Sequence, residues 1–144
     1  AALIDAGAST EDVARVEAAG ASMVVSPNSN IAVIRASRER GLASLPGFAT
    51  PSEAFAALDA GATALKLFPA EASSPAILKA MRATFPAETR VLPVGGITPA
   101  TMQQWTEAGA AGFGLGSAVY KPGYEANVVS RCAGDFVRAY AELR

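Results

Sequence analysis

The sequence predicts an α/β protein built on a parallel sheet, in the form of an incomplete (β/α)8 barrel with about five to six β/α units. Short apolar stretches typical of buried strands alternate with amphipathic stretches long enough for helices. An Ala-Gly-Ala pattern precedes three of these strands. A doubly wound sheet is the alternative, but glycine-rich ends on the last two strands favour the barrel. The strand centres, which are 21 or 27 residues apart, are Met23, Ser44, Leu65, Leu92 and Phe113.

Composition narrows the class of protein. The chain has 144 residues, of which 51% are hydrophobic and 17% charged, so we expect one well-packed domain over residues 1–144. A net charge of -1 argues against nucleic acid as a partner. No apolar run reaches the ~18 residues of a membrane span, and the single Cys132 fits a reducing cytoplasm.

The residue types also limit the chemistry. The chain has no histidine and one cysteine, which argues against a zinc site and against His-based catalytic triads. General acid–base catalysis would therefore have to use Lys, Glu, Asp, Tyr or water. We expect no metal and no organic cofactor.

Helix boundaries are marked by local signals. Capping boxes begin at Ser9 and at Thr50, and Ser-Pro or Thr-Pro pairs begin two later helices. An apolar stripe from Val129 to Tyr140 predicts a C-terminal helix. The glycines expected to end the internal helices are Gly20, Gly41, Gly61 and Gly109.

One predicted strand, within residues 63–70, contains a lysine. Ala64, Lys66 and Phe68 share one face, whereas Leu65 and Leu67 share the other. An ammonium group in a strand covered on both faces must find a partner, lose its proton or line a wet cavity. An amine with a lowered pKa is suited to Schiff-base catalysis. The alternative is an edge strand from which Lys66 reaches water.

Glycines follow the last two predicted strands. Because the carboxyl ends of parallel strands meet at one edge, their backbone amides can converge on an anion. We therefore expect Gly95, Gly96, Gly116 and Ser117 to bind a phosphate. Glycine there could instead serve close packing or tight turns. We interpret Glu71, just past the lysine strand, as a loop carboxylate.

Three motifs resemble one enzyme family. Ala64-Leu65-Lys66-Leu67-Phe68-Pro69-Ala70-Glu71, Pro93-Val94-Gly95-Gly96-Ile97-Thr98-Pro99 and Gly112-Phe113-Gly114-Leu115-Gly116-Ser117 occur in order, as in the 2-keto-3-deoxy-6-phospho-sugar aldolases. The resemblance implies a class I aldolase on a (β/α)8 barrel, usually a homotrimer. It makes Lys66 the catalytic Schiff-base lysine and the four glycine-loop residues the phosphate site.

Within that family the chain is most similar to the phosphogalactonate branch. Ser26-Pro27-Asn28 and residues 115–123 resemble that branch, and Val94 stands where the phosphogluconate branch commonly has threonine. The resemblance makes Val94 a determinant of C4-epimer specificity. Pro27 and Phe68 are expected to line the pocket.

The chain departs from the family pattern at its start. The resemblance leads us to expect two earlier strands, which bring a substrate-contacting arginine and a proton-shuttling glutamate, and then a Gly-Ala-Gly-Thr motif. Residues 1–8 could be a degenerate third strand in which Asp5-Ala6-Gly7-Ala8 replaces that motif. We favour the end of an early helix, with a segment missing before Ser9.

The resemblance implies cleavage of 2-dehydro-3-deoxy-6-phosphogalactonate to pyruvate and D-glyceraldehyde 3-phosphate. The first alternative is the 6-phosphogluconate epimer as substrate. The second is a non-catalytic, phosphate-binding barrel fragment without the acid–base glutamate.

Overall fold

The computed structural model describes residues 1–143, in which parallel strands alternate with helices. The strands are β1 (Ala2–Leu3), β2 (Met23–Val25), β3 (Ala43–Leu45), β4 (Gly47–Phe48), β5 (Leu65–Leu67) and β6 (Val91–Pro93). The helices are α1 (Thr10–Ala18), α2 (Ile31–Glu39), α3 (Pro51–Asp59), α4 (Pro75–Arg82), α5 (Met102–Glu107) and α6 (Ala126–Glu142). Two 3-10 turns, Ala70–Ala72 and Pro99–Thr101, follow β5 and precede α5.

The strands follow one another in space in the order of the sequence. Each named pair is parallel: β1 with β2, β2 with β3, β4 with β5, and β5 with β6. Pro46, which has no amide hydrogen, separates β3 from β4, but its carbonyl accepts a hydrogen bond from the Lys66 amide (2.9 Å). This sequential order is that of a barrel wall and not of a doubly wound sheet, in which the strand order reverses.

The sheet has one face covered by helices. Phe48, Leu65, Leu67 and Val91 point to that face and belong to the main hydrophobic core. Because side chains alternate, the residues between them point to the opposite, inner face. Lys66 pairs in register with Gly47 on one side and Leu92 on the other, so all three lie in one row across the inner face.

The predicted helix signals are confirmed. Ser9 with Asp12 and Thr50 with Glu53 form complete capping boxes, and Ser74 caps α4. In four helices the C-cap residue stands directly before the expected glycine; these caps are Ala19, Arg40, Ala60 and Ala108. The predicted C-terminal helix is α6. No helix within residues 1–143 is both long and apolar enough to cross a membrane.

Two expectations need correction. The helical interpretation of residues 1–8 is wrong for the start of that segment, because Ala2–Leu3 form a strand parallel to β2 and the Ile4 amide donates to the Val25 carbonyl (3.0 Å). The strand predicted around Phe113 is reduced to one bridge between Val94 and Gly114. Three alternate glycines, at positions 112, 114 and 116, supply no side chains to pack and weaken a strand there.

Candidate active site

Lys66 lies in the middle of β5 with its side chain on the inner face. It is only 7% exposed, and within residues 1–143 it makes no ion pair and no side-chain hydrogen bond. Its Nζ atom lies 4.3 Å from the centre of the Phe68 ring. Burial, with no opposing charge, lowers the pKa of the Lys66 ammonium. The structure thus provides an amine that loses its proton more readily than an exposed lysine.

The next inner-face row toward the carboxyl edge is formed by Phe68 and Val94. The Val94 amide donates to the Leu67 carbonyl (3.0 Å), and the Val94 carbonyl accepts from the Ala70 amide (2.9 Å). Successive residues on one face of a strand are about 6–7 Å apart, so this row lies within reach of a lysine side chain from the row below. Both residues therefore lie beside the volume that Lys66 can reach.

Gly95 and Gly96 form the first glycine loop, directly after Val94. Their φ angles are +106° and +65°, values that side-chain-bearing residues rarely adopt. Within residues 1–143, the amides of Gly96 and Ile97 donate no hydrogen bond to another protein group. The turn therefore leaves free donors at the carboxyl edge, as an anion site requires.

Gly116 and Ser117 form the second glycine loop. The bridge between Val94 and Gly114 aligns this segment with the first loop, and the Gly114 amide donates to the Pro93 carbonyl (3.1 Å). In the described part of the chain, neither the Gly116 and Ser117 amides nor the Ser117 hydroxyl donates a hydrogen bond. Both loops thus present uncommitted donors at the same edge of the sheet.

Pro27 approaches the site from the other side of β5. A Cβ atom on Gly47 would collide with the Pro27 carbonyl oxygen, and Ser29 Oγ donates to the Gly47 carbonyl (2.8 Å). Gly47 is the register partner of Lys66. The loop with Pro27 is therefore held against the strand beside the lysine, while Phe68 contacts the lysine itself.

Sequence reasoning did not place Glu71 at the site. Its side chain lies over the first glycine loop, where a Cβ atom on Gly95 would collide with the carboxylate and one on Gly96 would lie 2.6 Å from Cγ. The only available signal was its position four residues after β5. No periodicity rule converts that distance into a contact with another loop. Among residues 1–143, no group of three or more His, Cys, Asp or Glu residues is arranged to hold a metal ion.

Known proteins are similar to this chain in sequence and in structure. The 2-dehydro-3-deoxy-6-phosphogalactonate aldolase of Escherichia coli K12 is 43% identical over 98% of this chain and 70% of its own length. A probable enzyme of the same description from Rhizobium meliloti is 40% identical over 96% of this chain and 66% of its length. The solved native KDPGal structure superposes with a TM-score of 0.93 at 41% identity, over 96% of this chain and 68% of that chain.

A family profile shows which family the chain belongs to. Residues 1–132 match the profile described as KDPG and KHG aldolase, and the chain therefore belongs to that aldolase family. Its α/β fold corresponds to part of the family's (β/α)8 barrel. A more distant structure is the 2-keto-3-deoxy-6-phosphogluconate aldolase of Zymomonas mobilis ZM4 with 3-phosphoglycerate. It superposes with a TM-score of 0.74 at 27% identity, over 92% of this chain and 63% of that chain.

Proposed function

We propose that this chain carries the lysine and phosphate sites of a class I aldolase that cleaves 2-dehydro-3-deoxy-6-phosphogalactonate to pyruvate and D-glyceraldehyde 3-phosphate. The observation that carries the proposal is Lys66, a buried amine that has no counter-ion within residues 1–143 and whose pKa burial lowers. A structural lysine in a sheet would be expected to pair with a carboxylate or reach solvent. Lys66 does neither in the described part of the chain.

The proposed reaction uses the lysine as an electron sink. The lone pair of neutral Lys66 attacks the C2 ketone, and loss of water from the carbinolamine gives an iminium ion. The C3–C4 bonding electrons move into the iminium while the C4 hydroxyl gives its proton to water, which releases the aldehyde and leaves an enamine. Protonation at C3 followed by hydrolysis releases pyruvate and regenerates the amine. No metal or organic cofactor takes part in these steps.

The glycine loops supply binding energy far from the reacting bond. In the proposal, free amides of both loops and the Ser117 hydroxyl bind the phosphate, which places C2 near Lys66 and C4 near Val94. The presence of 3-phosphoglycerate in the Zymomonas mobilis relative supports a phosphate-bearing ligand. Substrate length then selects the 6-phosphorylated sugar acids.

The galacto epimer is favoured by Val94 and by the two relatives of that description. Val94 offers no hydrogen bond to the C4 hydroxyl group. The 6-phosphogluconate epimer is the alternative substrate, and curated relatives of that activity are 33–42% identical over shorter stretches. Competition between the two epimers in one assay mixture separates these substrates.

Covalent trapping tests the proposed role of Lys66. The protein is incubated with pyruvate and borohydride, digested, and analysed by peptide mass spectrometry. We expect a reduced pyruvate adduct on the peptide that contains Lys66, and none in a Lys66→Met variant. Lys79 and Lys121, which lie elsewhere on the surface, are internal controls within the same digest. An adduct elsewhere, or no adduct, would contradict the mechanism.

A second candidate function is phosphate binding with imine formation but little turnover. The absence of a carboxylate paired with Lys66 within residues 1–143 leaves the amine free to react, but it also leaves no carboxylate there to move protons, which favours this second function. General acid–base groups contribute about 10²–10⁴-fold to rate. Adduct formation at Lys66 together with pyruvate release slower by such a factor than in the Escherichia coli relative would support this second function.

The cellular setting of the proposed enzyme follows the family resemblance. We expect a cytoplasmic homotrimer that acts on phosphorylated 2-keto-3-deoxy sugar acids, without nucleic acid or membrane partners. Light scattering after gel filtration measures the oligomeric state directly. A monomer would show that the trimer expected from the resemblance does not apply to this chain.

A further inference from the structure

The Glu71 side chain lies over the first glycine loop. The residue before it, Ala70, is buried and donates its amide hydrogen to the carbonyl of Val94, the residue before the loop (2.9 Å). This bond ties the two backbone segments together at their bases. The Glu71 side chain then covers the Cβ positions of both Gly95 and Gly96. The hydrogen bond between Ala70 and Val94 therefore places Glu71 next to the first glycine loop.

Among residues 1–143, the Glu71 carboxylate has no partner that would neutralise it. Within residues 1–143 it accepts no hydrogen bond and makes no ion pair, although unused amides of Gly96 and Ile97 lie on the adjacent loop. Residues 94–98 and 112–118 contain no lysine or arginine. The proposed phosphate site thus consists of neutral donors with one uncompensated negative charge beside it.

This arrangement has an electrostatic consequence. A phosphate bound by the glycine loops brings up to two negative charges close to the Glu71 carboxylate. At a separation of about 6 Å in a water-like medium, the repulsion lowers the affinity for a dianion by about 10-fold. The effect is largest at low ionic strength, since salt screens exposed charges.

We propose that Glu71 is a specificity-determining residue that limits how tightly the glycine loops hold a doubly charged phosphate. The inference rests on the proposed phosphate site. Glu71 disfavours dianions relative to singly charged groups, and it speeds release of a phosphorylated product once the bond between the two halves of the substrate has broken. Neutral backbone donors alone would not discriminate in this way.

Isothermal titration with inorganic phosphate, at a pH where the dianion dominates and at low salt, tests the inference. Glu71→Gln keeps the size of the side chain and removes its charge. We expect this variant to bind phosphate about 10-fold more tightly than wild type. Glu88→Gln removes the same charge from an exposed position between α4 and β6, before the strand whose other end carries the first loop, and should change the affinity by less than about twofold.

Additional variants and salt titrations distinguish an electrostatic effect of Glu71 from a steric effect and from failure of the proposed phosphate site. Glu71→Ala should tighten binding as much as Glu71→Gln, and both gains should shrink as salt is added. Equal or weaker binding by Glu71→Gln, with wild-type binding intact, overturns the role of Glu71 alone. Tightening by Glu71→Ala only would show a steric effect and also overturns it. If no variant binds millimolar phosphate, the proposed phosphate site is wrong and the inference falls with it.

Discussion

The two glycine loops of the candidate site differ in how they are held. The first, Gly95–Gly96, follows a strand paired with β5 and has two positive φ angles and a side chain packed over it. The second, Gly116–Ser117, follows a single bridge, and a Cβ atom on Gly116 would meet nothing within 4 Å. The first loop needs glycine for its own backbone geometry. The second does not.

Glycine therefore occurs in the two loops for different reasons. At the first loop, glycine would be required even if no ligand ever bound, because φ angles above +60° strain other residues. At the second loop, Gly116 has no positive φ angle, and in the described part of the chain the loop offers free donors at the carboxyl edge. Substitutions should therefore affect stability at β5 and the first loop, and ligand binding at the second.

The largest effect on stability is expected at Lys66. Lys66→Arg places a charge that cannot be neutralised in a site that is 7% exposed, which should lower the free energy of unfolding by about 3 kcal/mol. Lys66→Met, of similar length and uncharged, should leave stability unchanged or raise it. Chemical denaturation of both variants beside wild type measures this difference. If both variants are destabilised alike, packing and not charge governs the position.

The pH dependence of the free energy of unfolding provides a second test of the lowered Lys66 pKa. Because burial lowers the pKa of Lys66, the unfolded chain binds more protons than the native chain between the lowered value and the ordinary lysine value of about 10.4. The contribution of Lys66 to stability therefore rises with pH across that window. The Tm advantage of Lys66→Met over wild type should be largest at the low-pH end and vanish as the pH approaches the ordinary value. An advantage that grows with pH would contradict the lowered pKa.

At the first glycine loop, Gly95→Ala should lower the free energy of unfolding by about 2 kcal/mol, since its φ of +106° is strained for alanine. The new methyl group also collides with the Glu71 carboxylate. In the double variant with Glu71→Ala, only the collision is relieved. We expect denaturant titration to show partial recovery. Full recovery would show that the backbone angle is not the constraint.

The parts of the fold that were predictable depend on local chemistry. The sequence predicts the capping boxes at Ser9 and Thr50 and the glycines at the helix ends, because capping satisfies backbone groups within one turn. The face occupied by Lys66 was predictable because side chains alternate in any strand. These features need no knowledge of distant residues.

The parts that were missed depend on contacts between segments. Residues 112–115 have an apolar strand pattern, but their glycines weaken a strand, and within residues 1–143 the segment pairs only through the bridge from Gly114. The position of Glu71 over the first loop depends on a hydrogen bond between Ala70 and Val94, which sequence spacing does not encode. Ala2–Leu3 is a strand only because β2 lies beside it.

Val94 directly precedes the first loop and forms the bridge to Gly114 before the second. Its substitution is expected to have a smaller effect, on substrate preference. Its side chain packs where a Cβ atom on Gly114 would lie, and threonine keeps one of its two methyl groups. The added hydroxyl can hydrogen-bond the C4 hydroxyl of the gluco epimer, an interaction of about 0.5–1.5 kcal/mol. Val94→Thr should therefore shift the ratio of kcat/KM several-fold toward that epimer. Val94→Ala, which has no hydroxyl, should change both epimers equally, and an equal change in Val94→Thr would contradict the role.

The smallest effect on stability is expected at Gly116. Its φ is not positive and the space around it is open, so alanine fits without strain. Replacing glycine restricts the unfolded chain, so Gly116→Ala should change the free energy of unfolding by less than about 1 kcal/mol and in the stabilising direction. The same methyl group crowds the proposed phosphate and should weaken its binding. Thermal melts with and without phosphate separate the two effects: a large loss of stability in the ligand-free melt would show that the second loop, like the first, needs glycine for its backbone.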